Sequence, residues 1–496
     1  MLKKTLVIFT LISCTASFSQ NHVDALRFSL FSNYNTAGIS ALGGAGGLLS
    51  PNNNPASLAF FSGDKLLSLS IGNTSESVET MYLEEKNITN TPFDIAPFIQ
   101  NIGYVSRLPL VTENNWNKFN MGFSFNRKHD FNKTTIISGY NNTNSMVDFF
   151  INNAQGLTPD ELYIAAEENF DTYYYPGDFA YQTWLINADD ENDTNYYSNT
   201  YSQGQEQIME INETGYINEF DIAFSGAYKD FLFLGGSIGF TEIQFTQYKS
   251  YSESNFDQPE STPTSAVERF EYNRLLEIEG GGVNFKFGSF IKPTDFLRIG
   301  WSYHSKTYSE LDLYYDMGIE TDLIDGSNYG RSIYTLGLPN WSSYGINTPA
   351  KSITSIGLIG NYEKLRVLLT FDYEAIDYGS AQLSSTYSNY NFTQENEDIS
   401  AFYARTNNKK FGLALSKNNI SLRGGYSVFG SPFKDNLNDG EIEYISAGLG
   451  YQTGDYSFSI AMIQSTKNED EILYGSQVSN LETSENTIIA TCSYRF

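Results

Sequence analysis

The sequence predicts an all-β protein, a transmembrane antiparallel β-barrel of about 14 strands with an N-terminal luminal hatch. Three observations lead there. Long segments alternate strictly between apolar and polar residues: in KFNMGFSFN, Phe119, Met121, Phe123 and Phe125 share one face, and Asn120, Gly122, Ser124 and Asn126 share the other. Period two marks a strand with one apolar and one polar face. Tight polar turns then alternate with long polar loops, the asymmetry of barrels that put short turns on the periplasmic side and long loops outside. Finally, nothing after the first nineteen residues approaches the roughly 20 consecutive apolar residues of a membrane-spanning helix.

Charge narrows the class. The 496 residues carry 30 Lys and Arg against 58 Asp and Glu, a net charge of -28. Such a chain would not neutralise a phosphate backbone, so no nucleic-acid partner is expected. It also argues against electrostatic docking on anionic lipid, though not against an integral protein whose acids sit in loops.

Residues 1–19 form a signal peptide, with two Lys, an apolar run from Leu6 to Ile12 and then small residues, and cleavage is expected near Ser19–Gln20. Leu11-Ile12-Ser13-Cys14 also fits a lipidation signal, which leaves the fate of Cys14 open. Once the leader is removed, Cys492 is the one remaining cysteine, which excludes a disulfide framework and cysteine-rich zinc sites.

Residues 20–62 lie outside any alternating pattern and contain GISALGGAGGLLSPNNNPASLAFF. A phosphate loop needs a Lys after its last Gly, and a dinucleotide fingerprint needs a parallel strand–helix–strand unit; neither is present. Small residues let a ribbon fold back tightly and Asn-Pro fixes a turn. A barrel of about 14 strands is wide enough to need filling, and this segment is expected to fill it.

Residues 63–496 form the barrel. Strands are expected near 65–74, 98–108, 118–140, 205–228, 231–252, 267–291, 295–316, 351–361, 364–378, 399–416, 419–429, 441–453, 455–465 and 485–496. Tight turns fall at Tyr228–Phe231, Lys292–Asp295, Tyr362–Lys364, Lys417–Asn419 and Thr453–Asp455. Long loops fall near Thr143–Gly204, Gly318–Ala350 and Ser380–Ile399. Within the first of these loops, Thr158-Pro159-Asp160-Glu161 before LYIAAEENF has the cap, the proline and the acids of a helix start. Two readings fit that helix, a solvated loop element or an external landing surface for a ligand. The last strand ends on Phe496, like the terminal aromatic of outer-membrane barrels.

A leader, then DALRFS, then the Gly-rich stretch with its Asn54-Pro55-Ala56 triplet, then about fourteen strands closing on an aromatic: this order resembles the FadL-type outer-membrane transporters of long-chain fatty acids and other hydrophobic compounds. In that family an N-terminal hatch carrying Asn-Pro-Ala plugs the barrel. The resemblance assigns the hatch motif to Gly43, Gly44, Gly46, Asn54, Pro55 and Ala56. It implies passive uptake of a hydrophobic small molecule captured outside, passed into the lumen and released sideways through a gap in the wall. The break in alternation at Arg127–Asp130, in the third strand, is the candidate gap.

Lumen-facing cations are expected at Lys286, Arg298, Arg366 and Arg423, with Arg495 on the last strand, each opposite the apolar register of its strand. They suit a ligand carboxylate through charge-assisted bonds. The plainer reading, preferred here, pairs them with luminal carboxylates such as Asp372 or Glu374 or with hatch groups such as Asp24. No enzyme is expected: His22, His129 and His304 share no motif, and no nucleophile elbow occurs. His304 alternates with Arg298, Ser302 and Lys306 as a luminal side chain. Neither Ala188–Asp193 nor Asp435–Glu443 fits an EF-hand loop, and no metal or cofactor is implied. The expected partners are outer-membrane lipid and a hydrophobic ligand. The alternative is a docking barrel for secreted proteins, similar to those of type IX secretion, for which the acidic, Tyr-rich loops such as Asp171–Trp184 would also serve. A polar-solute porin is disfavoured by the plug.

Overall fold

The computed structural model describes residues 22–93, 97–109, 115–169, 175–190, 193–336, 341–385, 391–434 and 437–496. The expected leader, with Cys14, lies outside the described residues, as do parts of Asp171–Trp184, Ala188–Asp193 and Asp435–Glu443.

Fourteen antiparallel staves close into one barrel. They begin with β1 (Lys65–Tyr82), β2 (Glu85–Thr91 and Phe98–Leu108), β3 (Trp116–Asp130 and Lys133–Asn141), β4 (Gln205–Tyr228) and β5 (Leu232–Ser254). Next come β6 (Val267–Ile291), β7 (Leu297–His304 and Tyr308–Leu323), β8 (Trp341–Asn347 and Lys351–Tyr362) and β9 (Leu365–Asp377 and Gln382–Ser385). The last five are β10 (Arg405–Lys417), β11 (Ile420–Phe429), β12 (Ile442–Thr453), β13 (Tyr456–Tyr474) and β14 (Gln477–Arg495). The barrel closes where β14 pairs with β1, from Leu66↔Arg495 to Met81↔Asn480. Closure leaves no edge, as a sheet in hydrocarbon requires. At the β4–β5 turn Lys229 and Asp230 take φ of 51° and 50°, the left-handed pair that matches strand twist in a two-residue hairpin.

Two expectations needed correction. The strand expected from 399 begins at Arg405, because Thr393–Phe402 is a helix that buries Ile399. The staves also rise well past the expected ends, for example to Tyr82 and Leu323, with Trp341–Asn347 and Gln382–Ser385 inside stretches expected to be loops. Above the bilayer the outer face meets water, so polar residues stand on the outward side and the alternation fades although the ladder continues.

The apolar register faces outward: Phe220, Phe224, Phe240, Leu369, Phe411, Leu449 and Ile460 are all exposed, forming the lipid-facing belt. Inside, two apolar clusters fill the lumen. Towards the extracellular end, Phe150, Leu162 and Phe179 from loop helices Val147–Ala154, Pro159–Asn169 and Tyr175–Gln182 pack on Ile137, Met209, Tyr251, Phe270 and Ile319 of the staves. Below them, Leu26 and Phe28 of the N-terminal segment pack on Phe131, Ile217, Phe245, Leu311 and Tyr344. The helix after Thr158 starts in a reciprocal cap: the Glu161 carboxylate accepts from the Thr158 amide at 2.9 Å while Thr158 Oγ1 accepts from the Glu161 amide at 3.3 Å.

Candidate functional site

The hatch runs from helix His22–Arg27 to the 3-10 turn Pro55–Phe60. Its short side chains leave it almost without regular structure, so its backbone groups find partners elsewhere. Gly43 and Gly44 take φ of +65° and +69°, which reverses the chain after Ala37–Ser40. At Gly46 a Cβ would lie 2.9 Å from Ile39 Cγ2, inside the folded ribbon. Asn54 caps the Pro55–Phe60 turn, its Oδ1 accepting from the Ala56 amide at 3.0 Å, and Pro55 occupies the first position.

The wall is shaped to receive this ribbon. A Cβ on Gly425 of β11 would lie 1.9 Å from the Gly43 amide nitrogen, and one on Gly235 of β5 would lie 2.5 Å from the Ala56 nitrogen. Wall glycines at luminal positions mark the close approach of another backbone. Polar wall side chains then satisfy the hatch backbone. Asn120 Nδ2 donates to the Leu58 carbonyl at 2.8 Å, Ser302 Oγ donates to the Asn53 carbonyl at 2.7 Å, and Asp372 Oδ2 accepts from the Gly47 amide at 2.7 Å. His304 Nε2 lies 2.8 Å from the same Asn53 carbonyl, so this histidine holds the plug. One polar space of about 60 Å³ between hatch and wall is lined among others by Asn33, Asn52, Lys128, His304, Lys351 and Glu374.

Of the five cations read from the sequence, Arg495 is exposed beside Gly63 and the other four separate into two kinds. Lys286 is buried and ion-paired to Glu219 at 2.6 Å and Asp221 at 2.7 Å, with Lys128 completing the cluster 3.2 Å from Glu219. Pairing is therefore correct for Lys286, but with partners other than those expected. Glu374 is taken by Lys351 and Lys410, and Asp24 bonds Arg27 and the Tyr344 hydroxyl. Arg298, Arg366 and Arg423 form no ion pair within 4.0 Å among the described residues, and two of them meet the hatch instead. Arg298 lies over the Phe60 ring at 4.8 Å, Arg366 is exposed, and Arg423 is half-buried against Gly38 of the hatch.

At Arg127–Asp130, the candidate gap read from the sequence, β3 is irregular. The β3–β4 register shifts between Arg127 and His129, and Gly215 opposite takes φ of +123°. The β2–β3 ladder runs from Leu108↔Phe119 to Asn101↔Asn126, and no further rung joins these staves among the described residues. Side chains take over above it. Gln100 Nε2 donates to the Arg127 carbonyl at 2.9 Å, Asn87 Nδ2 donates to the Ser138 carbonyl at 3.0 Å, and Thr89 Oγ1 accepts from the Ile136 amide at 3.3 Å. A notch of about 350 Å³ opens here, lined by Arg127, Asn132, Thr214, Tyr216, Gln244 and Thr246. Arg127 spans it, with its guanidinium 5.2 Å from the Phe98 ring centre and 4.8 Å from that of Tyr216. The hatch reaches the same place from inside. The Ser32 amide donates to the Lys128 carbonyl at 2.9 Å, Ser32 Oγ lies 3.0 Å from His129 Nδ1, and Phe28 meets Phe131 edge-on.

The barrel as a whole has a structural counterpart. The crystal structure of a Pseudomonas aeruginosa FadL homologue superposes with a TM-score of 0.52 at 15% identity, covering 94% of this chain and 99% of that one. The fold is FadL-type. The Ralstonia pickettii toluene transporter TbuX (TM-score 0.49, 13% identity, 94% and 99% covered) and the P. putida toluene transporter TodX (0.46, 13%, 93% and 98%) also align over nearly their whole length. No family model and no curated protein matches the chain. A closed FadL-type barrel with an apolar outer belt is an integral outer-membrane protein, and none of its described helices is long and apolar enough to cross a membrane.

The acids Glu219 and Asp221 and the wall glycines escaped the sequence reading. Their signal was present: Gly235, Gly288 and Gly425 stand at positions opposite the apolar register, in FLGGSIG, NFKFGSF and RGGYS. Without the partner backbone they read as ordinary small luminal residues.

Proposed function

We propose that this barrel admits hydrophobic small molecules through the outer membrane by passive diffusion, with release sideways at the break in β3. That break carries the reading. A luminal plug bars the straight route, whereas a sideways exit at the break would lead into the bilayer, which receives an apolar solute and rejects a polar one. Support comes from the FadL-type fold and from the hatch contacts at Lys128 and His129, which bring the plug to the inner side of β3. The extracellular apolar cluster beneath the loop helices is a suitable first stop for such a solute. No chemical step is assigned to it.

The test is uptake of radiolabelled toluene and oleate by cells carrying the wild type or Thr246→Trp, whose indole fills the notch from the lipid side. Uptake of the transported class falls about tenfold in the variant while the barrel still assembles. Uptake by Thr246→Trp equal to wild type, or by wild type equal to cells without it, overturns the reading. Purified barrel that carries no extractable apolar ligand but retains a secreted protein would instead support the docking alternative.

A further inference from the structure

Two sets of luminal cations differ in how they are neutralised. Lys128, Lys286, Lys351 and Lys410, deep in the barrel, face Glu219, Asp221 and Glu374 at ion-pair distance. Arg298, Arg366 and Arg423 stand near the periplasmic mouth on β7, β9 and β11, and no carboxylate pairs with any of them among the described residues. The chain has acids to spare, with 58 against 30 bases, so the lack of a partner is a matter of placement and not of supply.

Their surroundings fit a ligand better than solvent alone. Arg298 and Arg366 are near enough to repel each other, Asp295 offsets part of this at Arg298 while forming its ion pair with Lys292, and the buried Nε of Arg298 has no hydrogen-bond partner. The flat face of the Arg298 guanidinium rests on Phe60, the end of an aromatic stack with Phe290 and Phe233 at 4.2 Å spacings, which leaves its edge free. Arg423 lies under the hatch where Gly38 has no side chain, and a Cβ there would come within 3.1 Å of Nη1. Alternate staves are about 10 Å apart, so guanidiniums projecting inward from neighbouring members of the set can reach a shared group. Planar, permanently charged guanidiniums are suited to the paired oxygens of carboxylate and phosphate.

We propose that Arg298, Arg366 and Arg423 form an oxyanion-binding vestibule on the periplasmic side of the hatch, taking the carboxylate or phosphate group of a small molecule. Bilayer headgroups are not the source, because these side chains face the lumen and the wall separates them from lipid. The site stands whether or not the barrel carries hydrophobic solutes, since no residue of the β3 notch belongs to it.

The experiment is calorimetric titration of the full-length protein in detergent with inorganic phosphate and, separately, octanoate, against sodium chloride at matched ionic strength. Saturable binding of phosphate, octanoate or both is expected in wild type, and the tighter of the two names the chemistry. Arg298→Gln with Arg366→Gln weakens it about tenfold or more, as loss of charge-assisted bonds dictates. Lys417→Gln, on the same rim but facing outward, leaves it unchanged. Arg366 is exposed, so Arg366→Gln alone keeps the test open if the double variant fails to assemble. No saturable heat beyond chloride, or equal affinity in the arginine variants and wild type, overturns the proposal.

Discussion

The lower and upper lumen are filled by different means. Below, the hatch is held by wall glycines that let two backbones meet and by polar side chains that bond its amides and carbonyls one at a time, as at Gly425, Asn120 and Asp372. Above, the loop helices sit on an apolar core and are anchored at one buried carboxylate: Glu253 accepts from the Met146 amide at 2.8 Å, Tyr251 at 2.7 Å, Gln207 at 2.9 Å and Ser145 Oγ at 2.5 Å. Close backbone fit makes a tight seal with little apolar area, whereas the upper region trades that closeness for hydrophobic burial. The two regions should therefore fail in different ways.

The largest effect is expected for Gly425→Val. Its side chain has no room against Gly43, and overpacking of this kind costs about 3 kcal/mol. The barrel should assemble with the hatch displaced, which single-channel recording in planar bilayers would detect as a conductance absent from wild type. A variant as tight as wild type would show that the hatch is not held by backbone fit.

Glu253→Ala should act on the other region. It leaves at least three buried donors without their acceptor, at about 2 kcal/mol, and protease cleavage within residues 143–204 should rise while the pore stays sealed. Leakage in this variant would mean that the two fillings are coupled and the contrast is false.

The smallest effect is local. At Glu161 hydrogen bonds from Thr158 outweigh the opposing desolvation and hold its carboxyl below the ordinary value of 4.5. A lowered folded pKa contributes stability that is present above 4.5 and lost as pH falls through the lowered value. Thr158→Ala should therefore speed amide exchange in the first turn of Pro159–Asn169 a few-fold at neutral pH, and the difference from wild type should shrink in acid to the part that the Thr158 Oγ1 bond to the Glu161 amide supplies. A difference unchanged at low pH would assign the cap to that bond alone.

Individual residues show where the sequence could be read. Phe119, Met121, Phe123 and Phe125 declare a lipid-facing strand because membrane burial imposes strict alternation. Arg127–Asp130 interrupted that pattern and the β3–β4 register does shift there, since a register shift leaves a trace in a period of two. Thr158 announced its helix through local chemistry alone. Glu219 and Asp221 could not be matched to Lys286 from the sequence, because that choice depends on which staves are neighbours and at what register.

The sequence by itself determined the barrel, its strand order and the N-terminal segment excluded from the sheet. Those properties rest on periodicity and turn chemistry, which act between residues near in the chain. Tertiary structure alone decided which glycines receive the hatch, which cations are neutralised and which remain open, and that the hatch meets the break in β3. Each of these depends on a distance between residues far apart in sequence, and only closure of the barrel sets those distances.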